Sequence, residues 1–476
     1  MSESISEMVI PGTYIDVRAE GLIGVSGIET GNIGVVGSAN RGPLNQVVVL
    51  GSYSEALDTF GSYDRWPDKA ADQPKALTLT RTLEQLFRGG ASTVYAVRIA
   101  NEGGTPMATM SWVVASATAA PLFTLSATSP GTWANEIVVR IDTPDGQPVT
   151  VTVTYRRLKE TFTGATAGEL AEQIVESSRL LVVDGPSDAN AAIIPKTITA
   201  SDTKGGPDGV PVTTTEIATG LDKLVNQPVN IVVAGGADAK SAAAPMLAHL
   251  EATENEGRER IAVMGTSSDA TATIISADVA AASNARLIIT APGIVADDAA
   301  RVGEAQKAVK LPSAYAAAVV AGRLSTLAPH VSLTNKDLSV GGLTSEYSRA
   351  EQKLLLGNQV LVVVKNLGIR VLKGITTDTG PFRQISVRRI VDYAKAGVRS
   401  GSNPYIGRLN NERVRAALKA TLDGFLSGMV LDEMLTSYKL DVSATRAQEV
   451  AGQAIVTMTL LPTFSIDFVK VIMNLQ

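Results

Sequence analysis

The residues that could do chemistry in this chain are few, and their spacing suits no known site. Its 476 residues include two histidines, His249 and His330, and no cysteine. The histidines stand too far apart for an H-E-x-x-H zinc helix, and without thiols there is no disulfide, thiolate metal site or cysteine nucleophile. Each histidine reads as a packing or surface residue. The stretch VNIVVAGGADAKSAAA (229–244) has the strand, small-residue loop and lysine-serine pair of a phosphate loop. Counting back from Lys240, however, Ala234 and Ala239 stand where that motif needs glycine. A strand-to-helix loop without phosphate is the better reading. No G-x-G-x-x-G follows a strand and no G-x-S-x-G elbow occurs. The pairs Asp297-Asp298 and Asp432-Glu433 are adjacent, so on a helix their side chains diverge by about 100° and cannot share one substrate; solvated charge is expected. The sequence therefore offers no catalytic residue, no cofactor-binding residue and no metal ligand.

Composition agrees with a folded, non-membrane chain. It is 45% hydrophobic and 19% charged, enough for several domains with real cores and too apolar for wholesale disorder. A formal net charge of -5 argues against a nucleic-acid partner, since phosphate binding needs a basic surface. The opening MSESISEMVIPG has no basic n-region, so it is not expected to act as a secretory signal. The nearest apolar run, LLLGNQVLVVV (354–364), is split by Gly357, Asn358 and Gln359, so no membrane span or direct membrane insertion is expected.

The elements that would carry a site follow from periodicity. Within 21–100, a helix start at GSYSEALDTFG has Ser52 or Ser54 as N-cap. A helix over LTLTRTLEQLFRGG, with Leu79, Leu83 and Leu86 on one face, precedes the strand TVYAVRIA. From about 206, helices alternate with the strands VNIVVAGG, RIAVMGT and RLIITAPG, which predicts parallel pairing with crossovers. Between these parts, residues 101–205 change to short period-two runs such as VTVTVTYRRL and EIVVRIDT, which predict an inserted, mainly antiparallel β module. The fold class is therefore α/β with α+β character and several domains. The segments are 1–20, an N-terminal arm; 21–100 and 206–345, two parts of one α/β domain; 101–205, the insert; 346–455, a C-terminal core; and 456–476, a C-terminal arm.

Two features of the final unit suggest partners. The helix predicted over NNERVRAALKATLDGFLSGMVLDEM (410–434) places Val414, Leu418, Leu422, Phe425 and Leu426 on one face, with Asn410 or Asn411 as N-cap. Residues 388–419 form the most basic stretch, which reads equally well as a charged helix face or as a docking surface for an acidic partner. At the end, TFSIDFVKVIMNLQ reads as a strand with Phe464, Ile466 and Phe468 on one face and Val469 and Val471 beyond, with no following segment to cover it. The segment MVIPGTYIDV (8–17) is similar, with Tyr14, Ile15 and Val17 favouring strand. A strand at each end has a use if the receiving sheet belongs to a neighbour, and such heterologous pairing propagates into rings or filaments.

Five stretches in this order carry a resemblance to the tail sheath proteins of contractile phage tails and injection systems. They are IPGTYIDV; FTLSATSPGTWANEIVVRI (123–141), with Ala134 where the family commonly has glycine; LLLGNQVLVVVKNLGIRVLKGITT (354–377); ISVRRIVDYAKAGV (385–398); and TFSIDFVKVIMNL. The resemblance implies a non-enzymatic structural subunit, with no cofactor, that stacks as hexameric rings around an inner tail tube. It would meet a baseplate and a tail terminator or cap, and contract to drive the tube through a target membrane. It also implies a sheath domain completed by terminal strands exchanged between subunits, with Tyr14, Ile15, Val17, Phe464, Ile466, Phe468, Val469 and Val471 as arm residues. The insert would face outward and the final domain would line the tube, in a phage virion tail or contractile injection particle assembled in the bacterial cytoplasm. Charge placement on the 410–426 helix suggests Glu412, Arg413, Arg415 and Lys419 as tube contacts. Two other readings remain: another self-assembling filament or shell protein, and an α/β enzyme with an unrecognised site.

Overall fold

A computed structural model describes residues 28–101, 109–144, 148–188, 190–200, 204–267, 271–280 and 283–474. They fall into two compact units. The larger holds residues 31–327 and 333–383, and the smaller holds residues 328–332 and 384–474 with residues 28–30.

In the larger unit, β1 (Ile33–Gly37) and β2 (Val47–Leu50) lead to α1 (Tyr53–Phe60), where the Ser52 hydroxyl accepts from the Glu55 amide as the expected cap. Helix α2 (Leu79–Gly89) and β3 (Val94–Arg98) follow. The chain then enters β4 (Ser111–Ala115), β5 (Pro121–Ala127), β6 (Ile137–Asp142), β7 (Val149–Tyr155), β8 (Leu158–Gly164), α3 (Ala167–Ser177), β9 (Leu181–Asp184) and β10 (Thr197–Ala200). These strands pair antiparallel in two sheets, ordered β10-β4-β5-β9 and β6-β7-β8. Alternation explains the pairing. Val149, Val151, Val153 and Tyr155 of β7 point into a core around Trp133, while the threonines between them point out. Ala134 is buried in a short 3-10 turn, and its φ is not positive, so the position has no need of glycine.

The α/β pattern resumes with α4 (Thr214–Leu224), β11 (Ile231–Ala234), α5 (Ala239–Asn255), β12 (Ile261–Gly265), α6 (Ala272–Ala280) and β13 (Leu287–Ala291). Then β14 (Ile294–Asp297), β15 (Ala308–Leu311) and β16 (Gly342–Leu343) make a small antiparallel sheet. Helix α7 (Ser313–Ser325) lies between β15 and β16 in the chain, and α8 (Arg349–Gly357), β17 (Leu361–Lys365) and β18 (Ile369–Val371) complete the unit. One sheet gathers both flanks of the insert in the order β18-β17-β13-β12-β11-β1-β3-β2. All pairs from β17 to β3 are parallel, and the two edge strands are antiparallel. Its inner strands are buried on both faces, which is why they read as unbroken apolar runs. Helix α7, rich in alanine and valine, is buried nearly all round. It meets α2 backbone to backbone: a Cβ on Gly322 would lie 2.2 Å from the Leu86 carbonyl oxygen.

Two sequence expectations need correction. The boundary expected at 345/346 falls at 383/384, because β17 pairs with β13 and so extends the large sheet. Asp298, expected in solvent, is fully buried, because Arg81 lies 3.5 Å and Arg301 3.7 Å from its carboxylate and the Trp66 amide donates to it at 2.7 Å. An arginine inside the otherwise uncharged run LTLTRTL was the available signal for that buried partner.

The smaller unit packs α9 (Ile385–Ser402) and α10 (Glu412–Leu431) against a hairpin of β19 (Leu435–Ser443) and β20 (Ile455–Pro462), with α11 (Arg446–Val450) at its tip. Alternate hairpin residues, among them Tyr438, Leu440, Val442, Val456, Met458 and Leu460, cover the helices. The two helices approach so closely that a Cβ on Gly397 would fall 1.9 Å from the Phe425 ring. The last regular strand therefore ends at Pro462, and residues 456–462, expected in a C-terminal arm, belong to the hairpin. Among the described residues, 463–474 pair with no strand.

Candidate inter-subunit surfaces

The smaller unit presents the candidate residues. Phe464, Ile466, Phe468, Val469 and Val471 are all exposed, and Phe468 retains 85% of its accessible surface. Seven large apolar side chains between 464 and 473 are open to water on one short segment, a concentration that a soluble single chain seldom carries. Tyr14, Ile15 and Val17 lie outside the described residues.

Helix α10 starts where Asn411 accepts from the Val414 amide at 2.9 Å, so Asn411 and not Asn410 is the cap. Glu412 and Arg413 are exposed on its first turn. Arg415 differs: its side chain keeps only 14% exposure and donates Nη1 to Glu449 and to the Asn410 amide oxygen, each at 2.9 Å. Arg446 and then Arg415 hold the Glu449 carboxyl below the usual carboxylate range. Lys419 stands 3.7 Å from Asp441 on β19, with both side chains about half exposed. The four residues expected to act together are thus split. Glu412 and Arg413 face outward, whereas Arg415 ties α10 to the hairpin tip, and spacing alone could not reveal this because Glu449 lies 34 residues on.

The basic stretch is likewise partly consumed inside the unit. Arg388 is buried and pairs with Asp392 at 2.6 Å, and Arg389 is buried against backbone carbonyls. The charges left outward on this stretch are fewer than the sequence suggested.

The loop that resembled a phosphate site closes on itself. Asp238 caps α5 by accepting from the Ser241 amide at 2.9 Å and its hydroxyl at 2.7 Å, which places a carboxylate where a phosphate would need amides. His249 is buried with Nε2 2.7 Å from Arg260 Nη1, and His330 is half-buried in the smaller unit. Among the described residues no cluster of three or more histidine, aspartate or glutamate side chains could hold a metal, and no helix is long and apolar enough to cross a membrane.

Comparison with known proteins completes the site. Residues 211–377 match the phage tail sheath protein central domain, and residues 377–476 match the phage tail sheath C-terminal domain. The sheath tail protein from Desulfitobacterium hafniense superposes with a TM-score of 0.65 at 16% identity, over 95% of this chain and 100% of that one. The sheath tail protein from Listeria innocua gives 0.64 at 14% identity, over 93% and 98%. The helical sheath of the anti-feeding prophage in its contracted state gives 0.55 at 14%, over 98% and 99%. No curated protein matches the chain.

Proposed function

The chain belongs to the contractile tail sheath family, and from that premise we propose that it polymerises as stacked hexameric rings around an inner tube and contracts to drive the tube through a target membrane. The observation that carries the reading is the exposed apolar segment 464–473 on a unit whose family match is the sheath C-terminal domain. Such a segment gains most by adding to a neighbour's sheet, where main-chain hydrogen bonds give affinity and Phe464, Ile466 and Phe468 fix the register. The hairpin β19-β20 is a two-stranded sheet, marginal alone and improved by a third strand. Residues 8–17 would serve a neighbour in the same way through Tyr14, Ile15 and Val17.

Contraction then needs no nucleotide. A helical polymer with two lattices can hold the extended form behind a kinetic barrier and release the difference in contact energy when a baseplate starts the transition. Exposed Glu412 and Arg413 at the start of α10 support a weak polar contact with the tube, one that holds register and then lets go. The insert of residues 101–205 would face outward. A terminator or cap would close the far end, in a phage tail or injection particle assembled in the bacterial cytoplasm.

The test is negative-stain electron microscopy of the purified chain with and without tube protein. Hollow striated cylinders of uniform width are expected, and removal of residues 464–476 should return dispersed chains. A monodisperse small particle that forms no cylinders even with tube protein would overturn the reading.

A further inference from the structure

Helix α9 begins without a side-chain cap or an acidic residue in its first turn, and its N-cap residue, Gln384, spends its amide elsewhere. The Gln384 Oε1 accepts from the Ser465 amide at 3.2 Å, and Nε2 donates to Asp467 Oδ2 at 3.2 Å. Ser386 Oγ lies 3.5 Å from Ser465 Oγ. One side chain thus clasps the root of the exposed C-terminal segment. Slightly more than one turn along the same helix, Arg389 donates Nη1 to the Ala328 carbonyl at 3.3 Å and Nη2 to the Thr30 carbonyl at 3.2 Å.

Those two carbonyls have a particular place in the chain. Thr30 is the last residue before the chain enters the larger unit, and Ala328 is the first after it leaves. Gln384 is itself the first residue after another such crossing. Arg389 is buried, and burial pushes its guanidinium down to about 10 against the opposing pull of Asp392. A buried guanidinium is costly unless its donors are used, so its two carbonyl contacts are strongly held.

We propose that the first turns of α9 couple the C-terminal segment to the crossings between the units. Gln384 grips the segment, Arg389 grips two crossings, and the rigid helix between them makes each grip feel the other. A neighbouring copy that pulls on residues 464–474 would then alter the freedom of the crossings. The source of the pull rests on the sheath reading; the clasp lies within one chain. It requires a two-state element that both grips bias, and linkage makes the effect reciprocal.

The experiment is amide hydrogen exchange on the full chain, dispersed at low concentration, for wild type, Gln384→Met, Ser465→Pro and Arg389→Lys. The reporters are the Ser465 amide and the Val331 amide, the latter bonded to the same Ala328 carbonyl that Arg389 uses. Gln384→Met removes two ordinary hydrogen bonds, for which an approximately tenfold rise in exchange at Ser465 is expected, with a parallel rise at Val331. Arg389→Lys should raise exchange at both reporters as well. Ser465→Pro lies outside regular structure, so it deletes the donor without touching α9, and it should raise exchange at Val331. Loosening confined to the altered grip, with the other reporter unchanged, overturns the coupling. Failure of the sheath reading would show separately, as wild-type chain that forms no cylinders.

Discussion

Acid should weaken the larger unit through one imidazole. His249 is 5% exposed, and its Nε2 lies 2.7 Å from Nη1 of Arg260. Arg260 cannot give up its proton at any relevant pH, so it donates and the histidine must be neutral, with its hydrogen on Nδ1. The Arg260 Nη2 meanwhile donates to the carbonyls of Leu224, Val225 and Gln227, which fixes the guanidinium beyond the end of α4. Protonating His249 would set two cations side by side in a buried place. Burial first, then the Arg260 charge, bring its pKa down from 6.5 to about 4. Between those values the unfolded chain binds more protons than the folded one, so stability falls as pH falls from about 6.5 to about 4. At 1.36 kcal/mol per unit the full loss is about 3 kcal/mol. All three tryptophans, Trp66, Trp112 and Trp133, lie in this unit, so urea unfolding followed by tryptophan fluorescence reports on it. His249→Gln keeps an acceptor for Arg260 and does not titrate. Its stability should be within about 1 kcal/mol of wild type at pH 7 and exceed wild type by roughly 2 kcal/mol more at pH 4.5. Equal pH dependence in the two proteins would refute the reasoning.

Three further outcomes follow from the geometry. Phe464→Ser with Phe468→Ser removes two exposed side chains, so the melting temperature of dispersed chain should not move. Polymerisation should need about a thousandfold more protein if each ring is worth about 2 kcal/mol in a neighbour; cylinders at the wild-type concentration would contradict this. Charge reversal at exposed Arg413 should weaken co-assembly with tube, and cylinders that form with tube as readily as wild type would contradict this. Arg415→Glu should instead destabilise the smaller unit and be rescued by Glu449→Arg, and a lack of rescue in thermal melts would dismiss that internal pair. Gly322→Ala should lower stability by roughly 2 kcal/mol or more, because the added carbon meets the Leu86 carbonyl, and an unchanged melt would show that α2 and α7 separate easily.

What the sequence disclosed depended on the range of the cause. The alternation of helices and parallel strands was readable because apolar runs such as IVVA and LIITA are buried on both faces wherever the partner lies. The Ser52 cap and the end of α2 at the paired glycines were readable because the cap bonds a residue three positions away and the glycines lie at the helix end itself. The fate of charges was not. Asp298 looked solvated because its partner Arg81 lies more than two hundred residues earlier, and Arg415 looked available because Glu449 sits beyond an entire hairpin strand. The boundary at 383/384 was missed for the same reason: only pairing with β13 shows that β17 belongs to the large sheet. Among the proposed surface residues, Glu412, Arg413 and the tail aromatics could be marked from type and position. Gln384 carries no sequence signal beyond a helix start that lacks a capping residue.

The two units differ in how their stability is supplied, and that difference bears on the proposed mechanism. The larger unit buries a sheet between helices and encloses ion pairs such as Arg81 with Asp298. Among the described residues the smaller unit has two modest apolar clusters, around Leu426 and around Leu422, beneath a two-stranded hairpin. A two-stranded hairpin is marginal alone, so cover on its edge and on the exposed tail would add to the stability of this unit. If neighbours supply that cover, the stability of the smaller unit depends on assembly, and a change of lattice changes its stability directly.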